Sequence, residues 1–86
     1  MNTKKIIIEH LKQEIEEISL GAISANSVSE KSRIIGELGL DSMDYATIML
    51  ATEQKLGIKI QEDGVRWAEI QTVEQLADLF FSHLQK

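Results

Sequence analysis

The sequence predicts an all-α fold, a bundle of three main helices with a short one between the second and the last. Three observations predict it. Apolar residues recur at three- and four-residue spacing in three separate stretches, proline is absent, and the only alternating stretch, Gly57 to Ile60, is too short to nucleate a sheet. Average usage would place about four prolines in a chain this long, so their absence fits helices joined by few rigid turns. With 86 residues the chain is expected to form one domain, 1–86, because a second could not build its own core.

The first helix is expected over roughly residues 3 to 19, where Ile7, Ile8, Leu11, Ile15 and Ile18 repeat at helical spacing between Glu, Lys and Gln. Ile6, Ile7 and Ile8 alone would suit a strand, but the period runs on for three more turns. Asn2 or Thr3 is the expected cap. Residues 20 to 40 read as a long connection rich in Ser and Gly, a length that usually marks function or short internal structure. Val28, Ile34, Ile35, Leu38 and Leu40 are expected to pin it to the core, with a helical turn near 31 to 36.

A second helix should start at Asp41 or Ser42 and run to Leu56, with Gly57 as the left-handed residue that ends it. Asp41 and Asp44 stand three apart, so Asp41 can cap the helix while both carboxylates complement its positive end. Residues 62 to 68 are expected to form a helical turn, with Trp67 and Ile70 anchoring the loop. Thr72 to Gln75 matches a capping box, after which Val73, Leu76, Ala77, Phe80 and Leu84 continue at helical spacing.

Composition excludes several functions. There is no cysteine, hence no disulfide, thiolate metal site or cysteine nucleophile. The two histidines, His10 and His83, lie near opposite ends and give a metal cluster or triad little to work with. Nine basic against fourteen acidic residues disfavours binding to nucleic acid or anionic lipid and suits basic partner proteins. No stretch resembles a membrane span or signal peptide, so a cytoplasmic monomer is the expectation. A domain this small also has little room for an enclosed substrate cavity beside its core, so the chain is not expected to be an enzyme.

On the second helix, Tyr45, Ile48, Met49, Thr52 and Leu56 fall on one face, the expected core face, at about 100° per residue. Met43, Ala46 and Leu50 lie roughly opposite. Either they form a surface for partner proteins or the long loop covers them. Ser42 opens this helix, where free N–H groups and the dipole favour a phosphate. Asp41 and Asp44 would repel a free anion, so a covalent phosphodiester, or contacts to a metal or basic partner, suit the spot better than passive phosphate binding. By itself Ser42 also reads as an ordinary helix-start residue.

The run Leu38-Gly39-Leu40-Asp41-Ser42-Met43-Asp44 resembles the Leu-Gly-x-Asp-Ser-Leu signature of acyl carrier proteins and the related peptidyl carrier proteins. The resemblance extends over the opening helix, the long loop, the Leu-Gly-Ile-x-Ile exit at 56 to 60 and the Thr-Val-x-x-Leu start of the last helix. It implies a four-helix bundle of acyl-carrier type that itself catalyses nothing. Ser42 would receive 4′-phosphopantetheine from coenzyme A through a separate phosphopantetheinyl transferase, and the arm would carry acyl or aminoacyl groups as thioesters. An acyl- or amino-acid-activating ligase would load it, and downstream synthase or transferase enzymes would receive the cargo. Position by position, Asp41 would help orient the transferase's metal and coenzyme complex, and Asp44 would meet basic partner residues. Met43 and Leu50 would be apolar contacts flanking the arm, beside Ala46, with Glu53, Glu62 and Asp63 as secondary charge contacts, although each of these three reads first as an ordinary solvated residue.

The stretch that is glutamate-rich in fatty-acid carriers here holds Thr47, Gln54 and Lys55, with Glu53 the main survivor. That departure, with the Arg66-Trp67-x-x-Ile70-x-Thr72-Val73 segment, resembles discrete carriers of specialised polyketide or nonribosomal-peptide pathways more than those of housekeeping fatty-acid synthesis. Two rivals fail on pattern: Ser42 lacks the second glycine of a nucleophile elbow, and Asp41 and Asp44 lack the alternating ligands of a calcium loop. A third stays open, an unmodified helical module that binds partners through Met43 and Leu50.

Overall fold

The computed structural model describes residues 3–61 and 65–84. Three α-helices carry the fold: α1 at Thr3–Ile18, α2 at Ser42–Leu56 and α3 at Val73–Leu84. Among the described residues there is no strand, only an isolated antiparallel bridge between Arg33 and Thr72. Helix α1 packs against both α2 and α3. Its stripe of Ile7, Ile8, Leu11 and Ile15 is buried, as the spacing predicts, and meets Val73, Leu76, Ala77 and Phe80 of α3 and Ile48 and Met49 of α2 in one core. Of the two expected caps, Thr3 lies inside the helix and Asn2 lies outside the described residues.

Local chemistry sets the start of the last helix. The Thr72 hydroxyl accepts from Gln75 N–H at 3.1 Å, and Gln75 Oε1 accepts from Thr72 N–H at 3.0 Å and Gln71 N–H at 2.8 Å. The predicted capping box is therefore present, and it holds one neighbouring amide more than the motif requires. Val73 N–H then donates to Ser32 and Glu74 N–H to Glu30, which fastens the long loop to the first turn of α3. Lys4 adds an ion pair between α1 and α3, 2.7 Å from Asp78.

The long connection departs from expectation in two places. No helix forms near 31 to 36; that stretch is a turn in which Arg33 accepts from both Glu37 and Leu38 N–H. The turn closes one i to i+4 bond, from Glu37 N–H to Arg33, and does not propagate, because Ile34 N–H donates across to Gln71 while Glu30 and Ser32 accept from Glu74 and Val73 N–H at the α3 entry. A 3-10 turn forms earlier, at Ala25–Ser27, where Ser24 caps Asn26 N–H. Val28, Ile34 and Leu40 are buried and Leu38 packs half-buried against the core, whereas Ile35, also expected to pin the loop, is 53% exposed.

The short helix expected within 62 to 68 is a single 3-10 turn at Trp67–Glu69; positions 62–64 lie outside the described residues. Trp67 and Ile70 pack half-buried against the core and do anchor this loop.

Candidate functional site

Helix α2 builds the site. Asp41 is its N-cap: Oδ1 accepts from Asp44 N–H at 2.8 Å, while Asp44 Oδ2 accepts from Asp41 N–H at 3.4 Å. The two aspartates thus form a reciprocal capping box, of which the forward half was predicted and the return from Asp44 was not. Asp44 is consequently half-buried, more enclosed than its place in the first turn suggests. At the far end Gly57 adopts φ 69°, and Ile58 N–H closes back on Glu53 O at 3.1 Å, so the helix stops where a left-handed residue lets the chain reverse.

Ser42 is the first helical residue, and it is exposed. It borders an open groove of about 460 Å³ that runs beside α2. Ala46, Leu50 and Glu53 of the helix line that groove, together with Ile35, Ile60, Trp67 and Ile70 from other segments. The predicted site residues therefore fall into two groups. Asp41, Met43 and Asp44 stand around Ser42 at the helix start, and Ala46, Leu50 and Glu53 line the groove with it. Met43 is 77% and Leu50 56% exposed, so the long loop does not cover them.

Glu53 differs from the solvated charge contact expected of it. It is half-buried, and its Oε2 accepts from Ile60 N–H at 2.7 Å, tying the chain after α2 back onto the helix. Glu62 and Asp63, the other two expected charge contacts, lie outside the described residues.

The helical angles assign Tyr45 and Met49 to the core face, and both pack on the core, but both also line the groove. Tyr45 meets Trp67 edge-on, ring centroids 6.1 Å apart at 86°. Its hydroxyl oxygen is buried with no hydrogen-bond partner among the described residues, and burial pushes the phenol up to about 12. The groove was missed because it joins residues 35, 42 to 53, 60, 67 and 70. The available signals were the alternation at 58 to 60 and the single tryptophan, neither of which says what it faces.

A phosphopantetheine group fits the residues present. Ser42 is exposed at the positive end of a 15-residue helix, the adjacent Asp41 carboxylate is committed to capping, and a largely apolar open groove lies beside it.

The comparisons agree with this geometry. Residues 5–80 match the family described as phosphopantetheine attachment site. Over 61 residues the chain is 35% identical to the acyl carrier protein of Sinorhizobium fredii (strain NBRC 101917 / NGR234) and to the acyl carrier protein AcpP of Rhizobium meliloti (strain 1021). Each match covers 71% of this chain and 65% of the relative. With the helical architecture and the Ser42 helix start already in place, the chain belongs to the phosphopantetheine-attachment family, whose covalent cofactor is 4′-phosphopantetheine.

Proposed function

We propose that the chain is a carrier, not a catalyst, that bears 4′-phosphopantetheine on Ser42 and shuttles acyl or aminoacyl groups between partner enzymes. The observation that carries the reading is the exposed Ser42 hydroxyl at the first position of α2, on the rim of an apolar groove. When attached, the arm supplies the thiol that this cysteine-free chain lacks.

The chain's own residues do the rest. Asp41 fixes the start of α2 and so the direction of the Ser42 hydroxyl, and the open end of the helix favours the phosphodiester. Met43 and Leu50 offer apolar contact to a phosphopantetheinyl transferase, a loading ligase and downstream synthases; Ala46 lies between them, and Asp44 offers charge. The groove gives the apolar part of a cargo a place out of water. Tethering raises the effective concentration of the cargo at each partner. The sparse acidic residues of α2, where only Asp44 and Glu53 are carboxylates, favour partners of a specialised polyketide or nonribosomal-peptide pathway over those of fatty-acid synthesis.

The test is an intact mass after incubation with coenzyme A and a broad-specificity phosphopantetheinyl transferase. The wild type should gain one phosphopantetheine and Ser42→Ala none. An unchanged wild-type mass would refute the carrier reading and leave the unmodified interaction module.

A further inference from the structure

Helix α1 buries one stripe in the core and leaves another side unpartnered. Ile6, Glu9, Gln13 and Glu17 are exposed and recur every three or four residues, so they form one row there, three turns and about 16 Å long. A shallow open groove of about 550 Å³ follows this row, lined by α1 residues from Ile6 to Glu17 together with Lys55 of α2. Glu9, Glu14 and Glu17 against Lys55 leave its lining two charges negative with His10 neutral. It shares no residue with the groove beside Ser42.

The charges of α1 run against its dipole. Lys4 and Lys5 stand in the first turn and Glu14, Glu16 and Glu17 toward the negative end, the reverse of what stabilises a helix. The fold accounts for part of this: Lys4 pairs with Asp78, and Glu16 Oε1 holds the Ala25 amide at 2.9 Å. Glu17 is not accounted for, since its exposed side chain makes no hydrogen bond or ion pair among the described residues. Leu20, just beyond it, is likewise unexplained by packing. Leu20 N–H donates to Glu17 O and Gly21 N–H to Glu16 O, the pair of bonds that reverses a chain after a helix, and the left-handed residue in that turn is usually glycine. Here it is a leucine at φ 56°, strained for any residue with a side chain, and it is 94% exposed.

We propose that the outer row of α1, with Leu20 at its end, is a second docking surface, and that its occupant is a positively charged amphipathic helix of a partner protein. Lysines or arginines of that helix would meet Glu14, Glu17 and the negative end of α1, while its apolar residues would cover Ile6, 42% exposed, and Leu20. A three-turn row suits a helix laid alongside it. Lys55 stands about 20 Å along α2 from Ser42, so a partner seated here leaves the attachment point clear. A carrier held by this face offers Ser42 to successive enzymes without being released.

The experiment titrates the ¹⁵N-labelled chain, as wild type and as Ser42→Ala, with a synthetic amphipathic peptide of Leu and Lys, roughly four turns long, at low salt. A peptide of the same pattern with Glu for Lys is the control. Amide shifts should centre on Ile6, Gln13, Glu17 and Leu20 with the basic peptide, equally in both forms of the chain, and be absent with the acidic one. The Ser42→Ala arm makes the result independent of the carrier reading. Glu17→Lys should weaken binding roughly fivefold. Leu20→Gly should weaken it roughly tenfold yet leave the thermal midpoint unchanged or raised, because relief of strain offsets the freedom glycine adds to the unfolded chain. A midpoint lowered by Leu20→Gly would give Leu20 a structural role and overturn its place in the surface. Shifts centred on Asp41 and Asp44, or spread over the acidic residues of all three helices, would overturn the proposal, as would affinities that neither variant changes. Shifts at the α1 amides that grow with protein concentration alone would seat a second copy of the chain there and refute the choice of partner.

Discussion

Glu53→Ala tests whether this residue braces the groove, as its hydrogen bond indicates. Its Oε2 accepts the Ile60 amide at 2.7 Å, and the Ile60 side chain is 97% shielded, so truncation leaves a backbone N–H in poorly hydrated surroundings. A hydrogen bond to a charged group is worth about 1.5–3 kcal/mol, and Glu53 is half-exposed, so the lower part of that range applies. We expect a loss of about 2 kcal/mol. Stability of roughly 4–13 kcal/mol is usual at this chain length, so the variant should still fold. Its thermal midpoint should fall by roughly 8–16 °C. Glu53→Gln keeps an acceptor oxygen and should lose less than half as much. Urea unfolding followed by the single tryptophan, Trp67, measures both, since Trp67 lines the same groove. Two variants equal in stability, or Glu53→Ala within about 0.5 kcal/mol of wild type, would refute the brace and return Glu53 to the role of a partner-facing charge.

Other substitutions and pH changes separate the remaining roles. Asp44→Lys breaks the return half of the capping box and reverses a charge near the helix start; it should cost about 1 kcal/mol by denaturant unfolding and slow transfer to basic partners, and unchanged rates with several partners would remove Asp44 from the surface. Tyr45 has its folded pKa raised by burial to about 12, so the unfolded chain loses the proton first; stability should fall as pH rises from about 10 to about 12, and this slope should be absent from Tyr45→Phe in pH-dependent melts. His10 is held below its usual 6.5, chiefly by burial and further by Lys55, against the opposing pull of Glu14 and Glu17. Here the unfolded chain takes up the proton first, so stability is complete above about 6.5 and should decline as pH falls through it, with a shallower decline in His10→Gln.

The helices and their ends were legible because they are decided locally. The period of Ile7, Leu11 and Ile15, the Thr72 to Gln75 box and the Gly57 stop each depend on residues within a turn or two of one another. Ser42 was legible for the same reason: a helix start and its caps are a matter of four adjacent residues. The loop was less so. Ile35 and Ile34 look alike in the sequence, yet one is 53% and the other 1% exposed, because the Ile34 amide is tied to Gln71 and turns its neighbour outward.

By itself, then, the sequence determined which segments are helical, which faces they bury, and that Ser42 opens a capped helix with an acidic flank. Only the tertiary structure decided that Ser42, Tyr45, Ile60 and Trp67 share one groove, that Glu53 holds the Ile60 amide, and that the Tyr45 hydroxyl has no hydrogen-bond partner among the described residues. The physical reason is range: capping and periodicity act across a few residues of the chain, whereas a groove wall and the burial of a polar atom depend on segments up to 35 residues apart, from Ile35 to Ile70, brought together by the core.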